Sequence, residues 1–215
     1  MKEETILKNK WTKHFRLTAK STLKYYKIVG CFIIGFEFPQ KFGELQPHFV
    51  IYPLWKKNLK ECFSWPYLLL HIKDSKGFDY KITLSDILEN ISEIITNTEK
   101  YLGVSLLDDI HSEDIIKLSL ETWNKNNSYD RIAIVYIKSY MSTYLNDIVM
   151  FNQTISSLDN LYAQMNSDWF KRNIGEYDKW KENLVSVFSN RQAVLDKIEE
   201  NIANSKIKER VELLP

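Results

Sequence analysis

The chain has 215 residues, 44% of them hydrophobic and 13% aromatic, and 29 Lys and Arg against 28 Asp and Glu leave a net charge of +1. That length can bury a sizeable core, and that composition excludes disorder for the bulk of the chain. The longest apolar runs, such as Tyr67 to Ile72, are too short to span a bilayer, and the polar start MKEETILKNK has no apolar stretch to act as a signal peptide, so the expectation is a cytoplasmic protein without a membrane partner.

Residues Glu3 to about Lys13 read as a short helix, with Ile6, Leu7 and Trp11 on one stripe. From His14 the pattern alternates, and a meander of up to three strands follows, with Val29-Gly30 as the turn into Cys31 to Phe38. That last run is the most strand-like of the chain. Phe32, Ile34, Phe36 and Phe38 share one face, while Cys31, Ile33 and Gly35 keep the other largely apolar, the pattern of a central strand covered on both sides. A Pro- and Gly-marked loop from Pro39 to Pro47 leads to a strand from His48 to Trp55, which Pro53 makes an edge at that point or ends. Lys56 to Ser64 is a polar connection with room for one helical turn. Tyr67 to Lys73 and Phe78 to Ile82 then flank the turn Asp74-Ser75-Lys76-Gly77 as a hairpin.

After Gly77 the punctuation nearly vanishes, which suits helices. Thr83 to Asp86 has the form of a capping box, and one helix is expected from there to Gly103. A shorter helix is capped by Ser112, with Ile116, Leu120 and Trp123 inward, and Asn124 to Ser128 breaks it. Asp130 to about Phe151 is expected to be helical, a strand over Arg131 to Ile137 being the alternative. Two further stripes, Ile155 to Trp169 and Tyr177 to Ile198, flank Gly175 as antiparallel helices, with Trp169 and Trp180 expected to face each other. Residues after about Asn204 read as a frayed, charged tail. The fold class is therefore α+β: an N-terminal helix and a mostly antiparallel sheet of five or six strands over 1–83, then a helical half over 84–215 that packs on it in one compact unit.

Chemistry is hard to place. The six glycines stand singly and build no phosphate loop, and the four histidines show no HExxH or i, i+4 pairing. Cys31, Cys62, His48 and His71 could converge across the sheet, but strand parity makes His71 an ordinary sheet histidine, so neither metal nor cofactor is expected. Cys31 lies in an apolar strand where a thiolate is disfavoured. Glu37 is the one carboxylate of that strand; burial would raise its pKa toward general-acid use, unless its place near the strand end leaves it exposed or paired with a lysine.

Charge is the remaining signal. Residues 1–83 carry 15 Lys and Arg against 7 Asp and Glu, and residues 84–215 carry 14 against 21. The halves attract each other within one fold, or one of them faces a partner. As partner surfaces, Asp108, Asp109, Glu113 and Asp114 are the acidic candidates for a basic protein. Lys10, Lys13, Arg16, Lys20 and Lys24, interleaved with Trp11, Tyr25 and Tyr26, are the basic candidates for nucleic acid. In general make-up, a small chain rich in Lys, Asn, Ile and Tyr without a catalytic motif, the protein resembles bacterial toxin-immunity proteins. That resemblance implies a non-enzymatic bacterial protein of immunity or antitoxin type that binds another protein, a basic toxin. The alternatives are a nucleic-acid-associated protein using the basic half and an enzyme whose site no motif reveals.

Overall fold

The computed structural model describes residues 3–121 and 128–215. Helix α1 (Glu3–Phe15) buries Leu7, Trp11 and Phe15 at four-residue spacing, and Arg16, at φ 50, ends it in the left-handed region. The meander follows as β1 (Thr18–Ser21), β2 (Lys24–Val29) and β3 (Phe32–Glu37), with Gly30 at φ 51 in the turn between the last two. The Pro- and Gly-marked loop contains a small hairpin of β4 (Gln40–Lys41) and β5 (Glu44–Leu45). Its turn residues Phe42 and Gly43 both have positive φ, 52 and 83, as a type I′ turn requires. Next come β6 (His48–Pro53), the single-turn helix α2 (Leu59–Cys62) and β7 (Leu68–His71).

The main sheet runs β1-β2-β3-β6-β7 with every neighbouring pair antiparallel, so β3 is central as its two apolar faces require. Pro53 ends β6 opposite Phe32, past the last β7 pair, Ile51 with Leu68, and no ladder bond is lost there. The hairpin turn forms, with Asp74 Oδ1 accepting from the Lys76 and Phe78 amides. Its second arm makes only isolated bridges, Lys73 with Asp79 and Leu45 with Ile82, instead of the expected strand.

The capping box forms: Thr83 and Asp86 exchange side-chain to backbone hydrogen bonds at the start of α3 (Leu84–Glu89). The expected single helix is nevertheless two. Asn90 leaves helical geometry, as a residue whose side chain competes for backbone partners readily does, and α4 (Ile91–Leu102) then runs to Gly103 at φ 63. Short β8 (Ile110–His111) precedes α5 (Ser112–Glu121) and α6 (Ser128–Leu145). Helix α6 covers Arg131 to Ile137 and removes the strand alternative there. Trp123 and the break expected at 124–127 lie outside the described residues. Asn146, at φ 59, stops α6 well short of Phe151, and Asp147 caps α7 (Ile148–Ser156) by accepting from the Met150 amide at 2.9 Å. Then follow α8 (Leu158–Ala163), α9 (Ser167–Asn173), α10 (Tyr177–Ser189) and α11 (Arg191–Ser205).

The end of the chain corrects the frayed-tail expectation. β9 (Arg210–Val211) pairs in parallel with β2, and β10 (Leu213–Leu214) pairs in parallel with β8, while Ile207 and Leu213 are buried. Leu213 lies in β10 opposite Ile110 of β8, and Ile207 joins the main core just ahead of β9.

On one sheet face Trp11 stands edge-on to Phe36 and Phe38, with ring centroids 5.4 and 4.9 Å away. On the other face, Phe63 packs against Tyr26 and Tyr52, and Asn201 of α11 donates to Leu54 O and Lys56 O, 2.8 Å each. A second apolar cluster joins Ile132, Val135, Leu158, Phe170, Trp180 and Leu184. Here the expected tryptophan pair is corrected. Trp180 meets Phe170 at 5.3 Å and donates to Tyr136 Oη at 3.0 Å, while Trp169 sits edge-on to Tyr129, because the one-residue offset turns Phe170 inward.

Candidate functional site

The acidic and basic candidates of the sequence converge in part. Arg16 shares a cleft of about 650 Å³ with Asp108, Asp109, Glu199, Arg210 and Glu212, and its guanidinium reaches Leu107 O at 3.5 Å. Beside it Lys27 is fully buried and donates to Leu106 O. Burial brings its amine down to about 8, with Glu209 and Asp108 opposing that fall and Arg16 adding to it. Part of the opposite charge of the two halves is thus used between them.

The other candidates are dispersed. Lys20 donates to Ser205 O at 2.8 Å, Lys24 pairs with Glu37 at 3.1 Å, and Lys10 and Lys13 lie exposed on α1. Asp109 accepts from the Glu212 amide at 3.1 Å and Asp114 from the His111 amide at 3.3 Å, so both hold backbone in place. Asp108 takes the Ser105 hydroxyl at 3.4 Å, and Glu113 is exposed at the start of α5. Asp109→Ala is expected to lower stability by about 1 kcal/mol, since it frees the amide that ties β10 to β8. Urea unfolding measures it, and an unchanged midpoint would make Asp109 a purely solvated charge.

Glu37 does not take the raised pKa that burial alone would give it. Burial pushes its carboxyl up, but hydrogen bonds from Tyr26 and Tyr52, the latter at 2.8 Å, and the Lys24 ammonium outweigh it and hold the group below its ordinary value. An ionised carboxylate with three donors ties β2, β3 and β6 together. Cys31 is buried, which pushes its thiol well up and away from nucleophilic use. His48 and His71 do meet, with ring centroids 4.2 Å apart, but among the described residues no group of three or more His, Cys, Asp or Glu is placed to hold a metal ion. None of the described helices is long and apolar enough to cross a membrane.

The feature best built to receive something is a cleft of about 620 Å³ among α5, α6, α7 and α8. Ile116 and Leu120 line it from α5, Ile134 from α6, Val149 and Met150 from α7, and Leu161 from α8. Leu120 is 47% exposed and Val149 62%, so the cleft opens on apolar side chains that no described residue covers. Glu113, Arg131, Lys138 and Asp147 place charge of both signs in its lining.

Local sequence explains this arrangement. Helix α5 carries two apolar stripes; Ile115 and Leu118 take the core, leaving Ile116 and Leu120, one turn apart, to the cleft. The inward stripe expected through Ile116 and Leu120 is therefore corrected in part: Ile116 is half-buried and packs on the main core, whereas Leu120 is exposed. Capping by Asp147 starts a new helix whose first residues, Ile148 and Val149, face outward. The surplus apolar stripe of α5 was the available signal, and Glu113 is the one residue of the acidic quartet that lines this cleft. No family model, curated protein or solved structure matches the chain.

Proposed function

We propose that the protein acts by binding another protein, and that the cleft among α5, α6, α7 and α8 receives an amphipathic helix of that partner. The carrying observation is the exposed apolar lining: Leu120 and Val149 stand open at the mouth of a cleft whose walls are Ile116, Ile134, Met150 and Leu161. Its volume suits the few side chains that one helix presents at i, i+3, i+4 and i+7. Charge selects a basic partner. The half of the chain that builds the cleft carries 21 Asp and Glu against 14 Lys and Arg, and that wider field supplies the preference, since the lining itself is balanced, Glu113 and Asp147 against Arg131 and Lys138. A basic toxin neutralised by a bacterial immunity or antitoxin protein is the partner class that this charge and the general make-up of the sequence suggest.

The nucleic-acid alternative is weaker, because Lys20, Lys24 and Lys27 direct their amines to Ser205 O, Glu37 and Leu106 O. The test uses a synthetic amphipathic helical peptide with a leucine stripe flanked by lysines, followed by fluorescence anisotropy. The doubly substituted Leu120→Glu, Val149→Glu protein is expected to bind it at least about tenfold more weakly. A glutamate-flanked peptide should bind the unaltered protein more weakly than the lysine-flanked one. Equal affinity of the two proteins for the lysine-flanked peptide would remove the cleft as the docking site.

A further inference from the structure

The edge of the main sheet holds a feature that the docking cleft does not use. Antiparallel register sets His48 of β6 directly opposite His71 of the edge strand β7, at the end of their ladder. Their rings are in contact, with centroids 4.2 Å apart and planes tilted by 33°. His48 is half-buried, and its Nε2 has neither exposed surface nor a hydrogen-bond partner. We propose that the paired His48 and His71 form a proton-sensitive latch that keeps β7 on the sheet at neutral pH and releases it in mild acid.

The charges around the pair decide how many protons it holds. On the hairpin arm, Asp79 lies 3.3 Å from His71 Nδ1 and shares its other oxygen with Lys73 at 3.9 Å, so one imidazolium at His71 has a counter-ion. On β3, Glu37 is the register partner of His48, yet its carboxylate is already taken by Tyr26, Tyr52 and Lys24. A second proton, on His48, would place a buried cation against a like charge with no free acceptor. Burial first, and then His71, hold His48 below its ordinary 6.5, against smaller opposing pulls from Asp79 and Glu37.

The sign follows from linkage. A base depressed in the folded state contributes stability that is whole above the unfolded value of about 6.5 and is lost as pH falls through the lower folded value. The segment that gives way is one edge of the sheet, since β7 has a strand on one side only and its hairpin arm makes isolated bridges. Its release uncovers the backbone donors and acceptors of β6, a row able to pair with another strand.

Hydrogen exchange by mass spectrometry, corrected for intrinsic rate, tests this on the full chain at about pH 7.5 and about pH 5. Relative to 32–36, residues 68–72 are expected to lose protection about tenfold on acidification. His48→Gln should reduce that response to under about twofold, and His71→Gln should reduce it in part, because the like charge is gone while the burial of His48 remains. His71 is exposed, so its variant folds even where the His48 variant does not. An imidazole NMR titration should also show the His48 midpoint rising in His71→Gln. An acid response of equal size in His71→Gln, or none in the unaltered protein, would overturn the latch.

Discussion

Gly35→Ala is expected to destabilise the protein by about 3 kcal/mol or more, an effect at the upper end for a single added methyl group. A Cβ at this position would stand 2.0 Å from Tyr25 O and 2.8 Å from Tyr26 Cα. Both are backbone atoms of β2, Tyr26 being the register partner of Gly35 and Tyr25 its neighbour, and they cannot rotate away as a side chain does. The strands must separate, and with them the bonds that Tyr26 and Lys24 make to Glu37. Gly43 is the internal contrast: a Cβ there meets nothing within 4 Å, and only its φ of +83 opposes alanine, at about 1 kcal/mol. Urea unfolding of the two variants should rank them clearly, and a Gly35→Ala loss below that of Gly43→Ala would mean that β2 and β3 are not as closely apposed as described.

Trp11→Ala should cost about 3 to 5 kcal/mol. The side chain is fully buried and lies edge-on to Phe36 and Phe38 while also packing on Phe15 at 5.5 Å, so its loss opens a cavity where α1 meets the sheet. Its indole Nε1 is buried without a hydrogen-bond partner. Trp11→Phe, which removes that unpaired donor and keeps most of the packing, should therefore cost clearly less than Trp11→Ala. Thermal or urea unfolding distinguishes the pair. Equal losses for the two variants would show that the indole donates to a group after all.

Much of this architecture was legible because it is written in local periodicity. Phe32, Ile34, Phe36 and Phe38 alternate, Thr83 and Asp86 stand at capping distance, and Asp74 and Gly77 carry the chemistry of a turn. What escaped sequence reading is non-local. Ile207 and Leu213 look like strays in a charged tail until the main core and β8 are there to receive them. Lys27 belongs to the basic half of the sequence, yet the alternation of β2 turns it inward to Leu106 O. The meeting of His48 with His71 was half visible, since both lie on strands, but which residues stand opposite each other depends on the register. Least legible was the cleft: Ile116 and Leu120 satisfy a core stripe as well as a docking stripe, and only the burial of Ile115 and Leu118 separates the two.

The helix-binding cleft is the central claim, and methyl NMR tests it most directly. Titrating the lysine-flanked amphipathic peptide into protein labelled at Ile, Leu, Val and Met methyl groups is expected to shift the signals of Ile116, Leu120, Ile134, Val149, Met150 and Leu161 together, at one saturating concentration. The core methyl groups of Ile33 and Ile34, buried in the sheet, should stay in place. Shifts confined to residues outside α5, α6, α7 and α8, with those six unmoved, would contradict the claim.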